Sequence, residues 1–439
     1  MNTYPPDLIP ILKGRWKPPK NVSDGASASL PSRSELEILL DVAYHATFLA
    51  EEGRRPGFRL LYYPIKDHKE DEQVPYHAAR LLPLDMPRPY TIAEINRLAP
   101  AAELTRMLIC IDDISNNPQK PNLRIWAVLD VGENWWKFIR HETGRGCAPP
   151  PGLTISSSCP GELSLSVQGT VIMTLRNGQI LYPLSDVVGT GPVAEFFDSA
   201  KSDLYKEVLG SLGRSKFDPG GADENWPVRS YGLFLERMLF YIREKQHGGM
   251  VIIIPKSIDK TDTRITDRLN IKYACSYDYI WDILVRSLVN HRKYSDSFNR
   301  LWVGLDPVTT KEFRAYYQLC REDEELDEAL GDVAQAVAAL TSVDGAVVMT
   351  DRFEIVGFGA EVTAISPSLK GIVVSAGSNH VSAAIDSYGT RHRAAFRFCS
   401  SFEDSVTFVV SRDGGVKAVK RVGSEVILWP DINTGAMGL

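Results

Sequence analysis

The run MVIII at Met250–Ile254 constrains this chain more than any other stretch: five apolar residues stopped by Gly248 and Gly249 on one side and Pro255 on the other. Such a run is short for a helix and leaves no polar face for solvent, so it predicts a strand covered on both sides. A helix candidate, RSYGLFLERMLFYIREKQ, precedes it. A second helical stretch, YDYIWDILVRSLVNHRK, and the charged segment REDEELDEALGDVAQAVAAL follow. The acidic run EDEELDE reads as a solvated helix face or linker. A second buried strand begins within SVDGAVVMTD and a third lies in SVTFVVS (405–411). Helix, buried strand, helix, buried strand predicts a layered α/β domain with a central mixed sheet flanked by helices.

Upstream, SELEILLDVAYHATFLAEE places Leu36, Leu39, Leu40, Ala43, Ala46 and Ala50 at helical spacing, with Ser32 or Ser34 positioned to cap it. Strands are predicted at FRLLYYPI, MLICID (107–112), RIWAVLD (124–130), LSLSVQ (163–168) and TVIMTL (170–175). The Asn177-Gly178 pair after the last predicts a hairpin. This part reads as a separate α/β or α+β domain. The first thirty or so residues, rich in proline and serine, read as a flexible leader. Turn-rich SKFDPGGADENWP (215–227) reads as a domain boundary. The predicted organisation is a leader over 1–35, one domain over 36–222, a second over 223–430 with a helical insertion at about 280–325, and a tail over 431–439.

The 439 residues suffice for two or three cores, and 44% hydrophobic with 24% charged residues is a globular composition. A formal net charge of -6 gives no global attraction for nucleic acid or an anionic membrane, so any phosphate recognition is local. The six cysteines are scattered without zinc-ligand spacing, and no apolar run has the length of a membrane span. A cytoplasmic protein with reduced thiols is the reading that follows.

Three short elements carry chemistry. Asp344-Gly345-Ala346 puts a carboxylate at a strand start beside residues small enough to permit close approach, where it can hold a divalent metal or receive a proton. Gly389-Thr390-Arg391-His392-Arg393 suits a helix N-terminus, whose free N–H groups favour phosphate. Its arginines add fixed donors, and His392 adds a donor or a metal ligand. Ser411 and Asp413 follow the last strand, where a hydroxyl and a carboxylate can reach the same place.

In this order, DGAVV, GTRHRAA and DSVTFVVSRDGG resemble the diadenylate cyclase (DAC) domain, whose signatures are DGA and RHR. The resemblance extends back through RMLFYIREKQHGGMVIIIP and covers roughly Trp226 to Arg421, about 45% of the chain. Upstream, YHATFLAEEGRRPGFRLLYYP resembles the DACNV sensor module that precedes some of these cyclases. The resemblance implies condensation of two ATP into cyclic di-AMP with release of two pyrophosphates, requiring Mg²⁺ or Mn²⁺. It gives Asp344 the metal and the 3′-hydroxyl, and Gly345 and Ala346 the nucleotide. Gly389, Thr390, Arg391, His392 and Arg393 hold the triphosphate, with Ser411 as an ATP contact and Asp413 where the family often has glutamate. His392 and Asp413 are further candidate metal ligands. One domain holds one ATP, so the product requires a homodimer or larger assembly through the DAC domain. A ligand of the sensor module is also implied, with neither membrane nor direct nucleic-acid binding.

This chain departs from the pattern in SLKGIVVSAGSNHVSAAID, an apparent insertion between the signatures, in FGAEVTA where the family has Leu-Pro, and in CSSFED. Two alternatives follow: a degenerate domain that binds nucleotide without cyclising it, and a cyclase making another cyclic dinucleotide. His380 reads as a solvated loop residue, His247 and the GTG at 189–191 as turns, and Trp135 and Trp136 as core or interface anchors. Glu51, Glu52, Arg54 and Arg55 read as a surface salt-bridge cluster.

Overall fold

The structure, a computed structural model, describes residues 3–16, 29–50, 57–64, 80–104, 106–115, 117, 119–132, 152–167, 169–176, 178–181, 186–213, 225–245, 247–303, 307–366, 369–376, 379–411, 415–430, 432 and 434. They fall into two compact units, one within 3–181 and one within 186–434.

The first unit is built on β1 (Phe58–Tyr62), β2 (Arg80–Pro89), β3 (Met107–Asp113), β4 (Leu123–Asp130), β5 (Leu153–Ser157), β6 (Glu162–Val167), β7 (Thr170–Arg176) and β8 (Gln179–Leu181). They form one mixed sheet in the order β2-β4-β3-β1-β5-β6-β7-β8. The five anticipated strands are all present. Gly178 takes φ +71° at the β7–β8 hairpin, while Asn177 lies outside the described residues. Strand β2 was not anticipated because Pro83, Pro87 and Pro89 interrupt it. It survives at the sheet edge, where a missing N–H leaves no ladder bond unmade.

Among the described residues this unit carries α1 (Leu8–Arg15), α2 (Arg33–Ala46) and α3 (Ile92–Leu98). Helix α1 corrects the flexible-leader expectation. Leu8, Ile9 and Leu12 are buried in the same core as Leu36, Leu39, Leu40 and Ala43 of α2. Proline does not prevent this, because Pro10 stands in the first turn, where its absent N–H would be unpaired in any case. At the start of α2, Ser32 accepts from the Glu35 N–H at 3.3 Å and donates its own N–H to the Glu35 carboxylate at 2.6 Å. That reciprocal cap is worth about 1 kcal/mol.

The second unit begins with α4 (Pro192–Phe196) and α5 (Asp198–Ser211), so it takes in residues that the sequence placed before the boundary. It continues with α6 (Trp226–Glu244), β9 (Gly249–Ile254), α7 (Thr263–Thr266), β10 (Leu269–Tyr277), α8 (Tyr279–Phe298), α9 (Thr310–Leu340), β11 (Ala346–Thr350) and β12 (Ile355–Val362). The chain then forms β13 (Gly371–Ala376), β14 (Asn379–Ala384), α10 (Thr390–Ser401), β15 (Val406–Val410), β16 (Val416–Val422) and β17 (Glu425–Trp429). The nine strands order as β10-β12-β11-β9-β15-β16-β17-β13-β14. The fold is α/β with a mixed central sheet.

Strand β9 lies at its centre, parallel to β11 and antiparallel to β15. Met250, Ile252 and Ile254 face a core shared with Phe396, Phe398 and Cys399 of α10. The other face is covered by α6, close enough that a side chain on Gly249 would meet Ile242 at 2.9 Å. Cover on both faces is why the strand carries no polar residue. The apparent insertion between the signatures forms the β13–β14 hairpin, which extends the sheet from β17. The helical insertion is the α8–α9 pair. Most of EDEELDE is exposed as expected, but Asp327 is buried and accepts from Arg237 of α6 at 2.9 Å.

Candidate functional site

Strand register puts two of the three chemical elements at one end of the central strands. Val347 pairs with Val251 in the parallel β9–β11 ladder, so Asp344, two residues ahead of β11, and Gly248, one residue ahead of β9, lie at the same end of adjacent strands. On the other side Val410 pairs with Gly249 in the antiparallel ladder, so Ser411 leaves β15 at that same end. Asp344 and Ser411 therefore leave the sheet at one end, on either side of β9.

Helix α10 joins them through the residue before Gly248. The Arg391 guanidinium donates to the His247 carbonyl at 3.4 Å, and the His247 imidazole Nε2 lies 2.5 Å from the Ser342 hydroxyl, two residues ahead of Asp344. The imidazole Nδ1 lies 2.7 Å from the Gly248 carbonyl and donates to it, which leaves Nε2 to accept from Ser342. His247 was expected to be a turn residue. It does sit in the bend between α6 and β9, and it also links the DGA loop to the arginine helix, a role its sequence position gave no sign of.

Each element fits its place for a local reason. Gly345 takes φ +117°, and a side chain there would lie 2.6 Å from the Gly359 carbonyl carbon and 2.8 Å from the Ala360 nitrogen and oxygen. Only glycine lets β11 start this close to β12. Ala346 is buried beneath it, and Asp344 is exposed. Gly389 is different: its φ of -69° suits any residue, and a side chain there would meet nothing within 4 Å. The open space lies over a helix start with no side-chain cap, so the first-turn N–H groups remain available to an anion. Thr390 and Arg393 are exposed, and Arg391 is half-buried. Ala395, Phe396, Phe398 and Cys399 hold the helix down.

His392 packs beside the rings of Tyr388 and Phe396, with centroids 5.7 Å and 6.4 Å away, and those two rings meet edge to face at 5.2 Å. Burial raises the Tyr388 phenol above its ordinary range. Among the described residues no group of three or more His, Cys, Asp or Glu side chains has metal-holding geometry. Asp413 lies outside the described residues, as do Trp135, Trp136, Glu51, Glu52, Arg54 and Arg55.

A shelf beside Asp344 completes the site. Tyr273 of β10 stacks on Phe358 of β12 at 4.9 Å and remains 54% exposed. Ile271, two residues earlier on the same face, packs against the core that includes α10, so the shelf and α10 share one side of the sheet. Between them the floor is small: Gly359, whose added side chain would meet the Tyr273 ring at 3.1 Å and Val343 at 3.4 Å, then Ala360 and Gly345. The sequence reading missed this pair because it assigned no strand to 269–277.

A polar cleft of about 800 Å³ opens at the opposite end of the same strands, by Pro255 and Asp351. Its cations are already engaged: Lys256 with Glu354, Arg352 with Asp203 at 2.6 Å and Glu207 at 3.3 Å, and Lys420 with the Glu403 carbonyl at 3.1 Å. The GTG segment is a turn, in which Gly189 N–H donates to Asp186 at 2.8 Å. His380 is exposed as expected but lies in strand β14, not in a loop, where it pairs with Ser375 of β13. No described helix is long and apolar enough to cross a membrane.

Residues 25–130 match a family model described as Probable sensor domain DACNV. The match covers α2, α3 and β1 to β4, within the first unit. No curated protein matches the chain.

Proposed function

We propose that the second unit condenses two molecules of ATP into cyclic di-AMP and that the N-terminal module regulates it. What carries this reading is His247: one residue binds the Arg391 guanidinium through its carbonyl and the DGA loop through its ring, with Asp344 and Ser411 leaving the neighbouring strands at the same end. The DACNV match adds support through its association with such cyclases.

In this reading the triphosphate lies over Gly389, against the first-turn N–H groups of α10 and the arginines of that turn. Arg391, fixed on His247, binds phosphate oxygens, and the exposed Arg393 screens charge that builds on the leaving pyrophosphate. The ring contacts of His392 hold this turn in place. The base stacks on the Tyr273–Phe358 shelf, and Asp344 accepts a hydrogen bond from the ribose 3′-hydroxyl. Ser411, directly after β15, contacts the nucleotide from the other side of β9.

Two such sites must face one another in a homodimer. Each 3′-oxygen attacks the α-phosphorus of the opposing ATP, the bond from that phosphorus to pyrophosphate breaks, and the hydroxyl proton leaves to solvent. Two new P–O bonds form and two pyrophosphates depart.

A divalent ion fits the donor set. Mg²⁺ keeps most of its waters and binds one or two carboxylates together with substrate phosphates, so the exposed Asp344 suffices without a protein cage. Bound there as Mg²⁺ or Mn²⁺, the ion would neutralise phosphate charge and polarise the 3′-hydroxyl.

Purified chain incubated with ATP and Mn²⁺ should release cyclic di-AMP on chromatography, and Asp344→Asn should abolish it. ATP binding without product at any metal or protein concentration would mark a nucleotide-binding module instead. Competition among the four ribonucleotides would expose a different cyclic dinucleotide.

A further inference from the structure

The sheet of the first unit has two faces of unlike chemistry. One sends Phe58, Leu60, Leu153, Ile155, Leu163 and Leu165 into the apolar core. Alternation along the strands sends Arg59, Thr154, Ser156, Ser164, Ser166 and Thr174 to the other. The register aligns Arg59, Ser156, Ser164 and Thr174 in one row across β1, β5, β6 and β7, with Thr154 opposite Ser166 in the next.

This polar face is buried: none of the six residues is more than 4% exposed. Ser164 and Thr174 answer each other at 2.9 Å, and Arg176 is held by Glu162 at 2.8 Å and 3.0 Å. The Ser156 and Ser166 hydroxyls are buried without a hydrogen-bond partner. Buried hydroxyls are nearly always bonded, and an apolar replacement would serve packing better. Two unanswered hydroxyls on neighbouring strands, in rows that include a guanidinium, have the donor set of an anion site. Burial draws the Arg59 guanidinium down only to about 9, so it stays positive at neutral pH.

We propose that this row is the ligand site of the N-terminal module and that it takes a small molecule bearing an oxyanion, with Arg59 on the charged group and Ser156 and Ser166 donating to its oxygens. The proposal is independent of the chemistry assigned to the second unit. Arg59 lies within the matched sensor family and the two serines lie beyond it.

The test uses the full chain carrying Arg391→Ala, which removes an anion contact in the second unit. Its unfolding midpoint and calorimetric heat are followed against inorganic phosphate and, separately, acetate. A saturable rise with phosphate assigns a phosphate group, and one with acetate assigns a carboxylate. Adding Ser156→Ala and Ser166→Ala should leave the anion-free midpoint unchanged or higher, since each removes an unanswered hydroxyl, while weakening anion affinity at least tenfold. Should the double variant fold poorly, each single substitution is read in the same way. No saturable response to either anion, or a response untouched by the serine substitutions, would overturn the assignment.

Discussion

Arg391 of α10 and Ser342 of the DGA loop, 49 positions apart, both hydrogen-bond to His247, one through its carbonyl and the other through its ring. The pairing makes the position of the arginine depend on the start of β9. Replacing Arg391 by alanine should weaken ATP binding by roughly 10- to 100-fold, the worth of a charge-assisted contact, with the far-ultraviolet spectrum unchanged. Equal nucleotide affinity in calorimetry would remove Arg391 from the triphosphate contact.

Gly345 is the least replaceable residue of the motif. Gly345→Ala forces a side chain into the Gly359–Ala360 backbone at positive φ, and the strain should cost about 1–3 kcal/mol or displace Asp344. Gly389→Ala meets no protein atom, so its stability should be that of the parent while ATP binding falls. Denaturant titration of the two variants separates these effects, and similar destabilisation in both would contradict the contrast.

Tyr273 should act on affinity more than turnover. Tyr273→Ala removes a stacking surface worth about 1–3 kcal/mol per base, so KM for ATP should rise while kcat stays near its original value. Tyr273→Phe should behave as the parent. A fall in kcat at constant KM would place the base elsewhere.

Arg237 and Asp327 form a buried ion pair at 2.9 Å, and a side chain on Gly331 would come within 2.5 Å of the guanidinium. Arg237→Met leaves a buried carboxylate unanswered and should cost about 3–5 kcal/mol in urea unfolding. Adding Asp327→Leu should recover most of that loss. If the double variant is no more stable than the single one, the pair is not what the substitution broke.

Glu236 gives stability a dependence on pH. Burial, then the nearby Asp186, raise its carboxyl to about 8 from an ordinary value of 4.5. The folded chain thus keeps a proton that the unfolded chain gives up above about pH 4.5. This contribution is fully present below that pH and is lost as pH rises through about 8. Glu236→Gln should flatten the slope and unfold at higher denaturant than the parent at pH 8.5. Parallel pH profiles for the two proteins would contradict the raised value.

The sequence by itself determined the central strands and the identity of the motif residues, because uninterrupted apolar runs, glycines at close approaches and a cationic helix start are local signals. Its errors were also local. Proline concealed the edge strand β2 and the packed helix α1, since the rule against proline assumes an interior position that neither occupies. Only the tertiary structure decided that Asp344 and Ser411 leave the sheet at the same end, that His247 ties Arg391 to the DGA loop, that Tyr273 faces Phe358, and that Arg59 stands in line with Ser156. Each of those relations joins residues from separate elements through strand register or the seating of a helix, and register is set by long-range pairing and bulges that no short window of sequence contains.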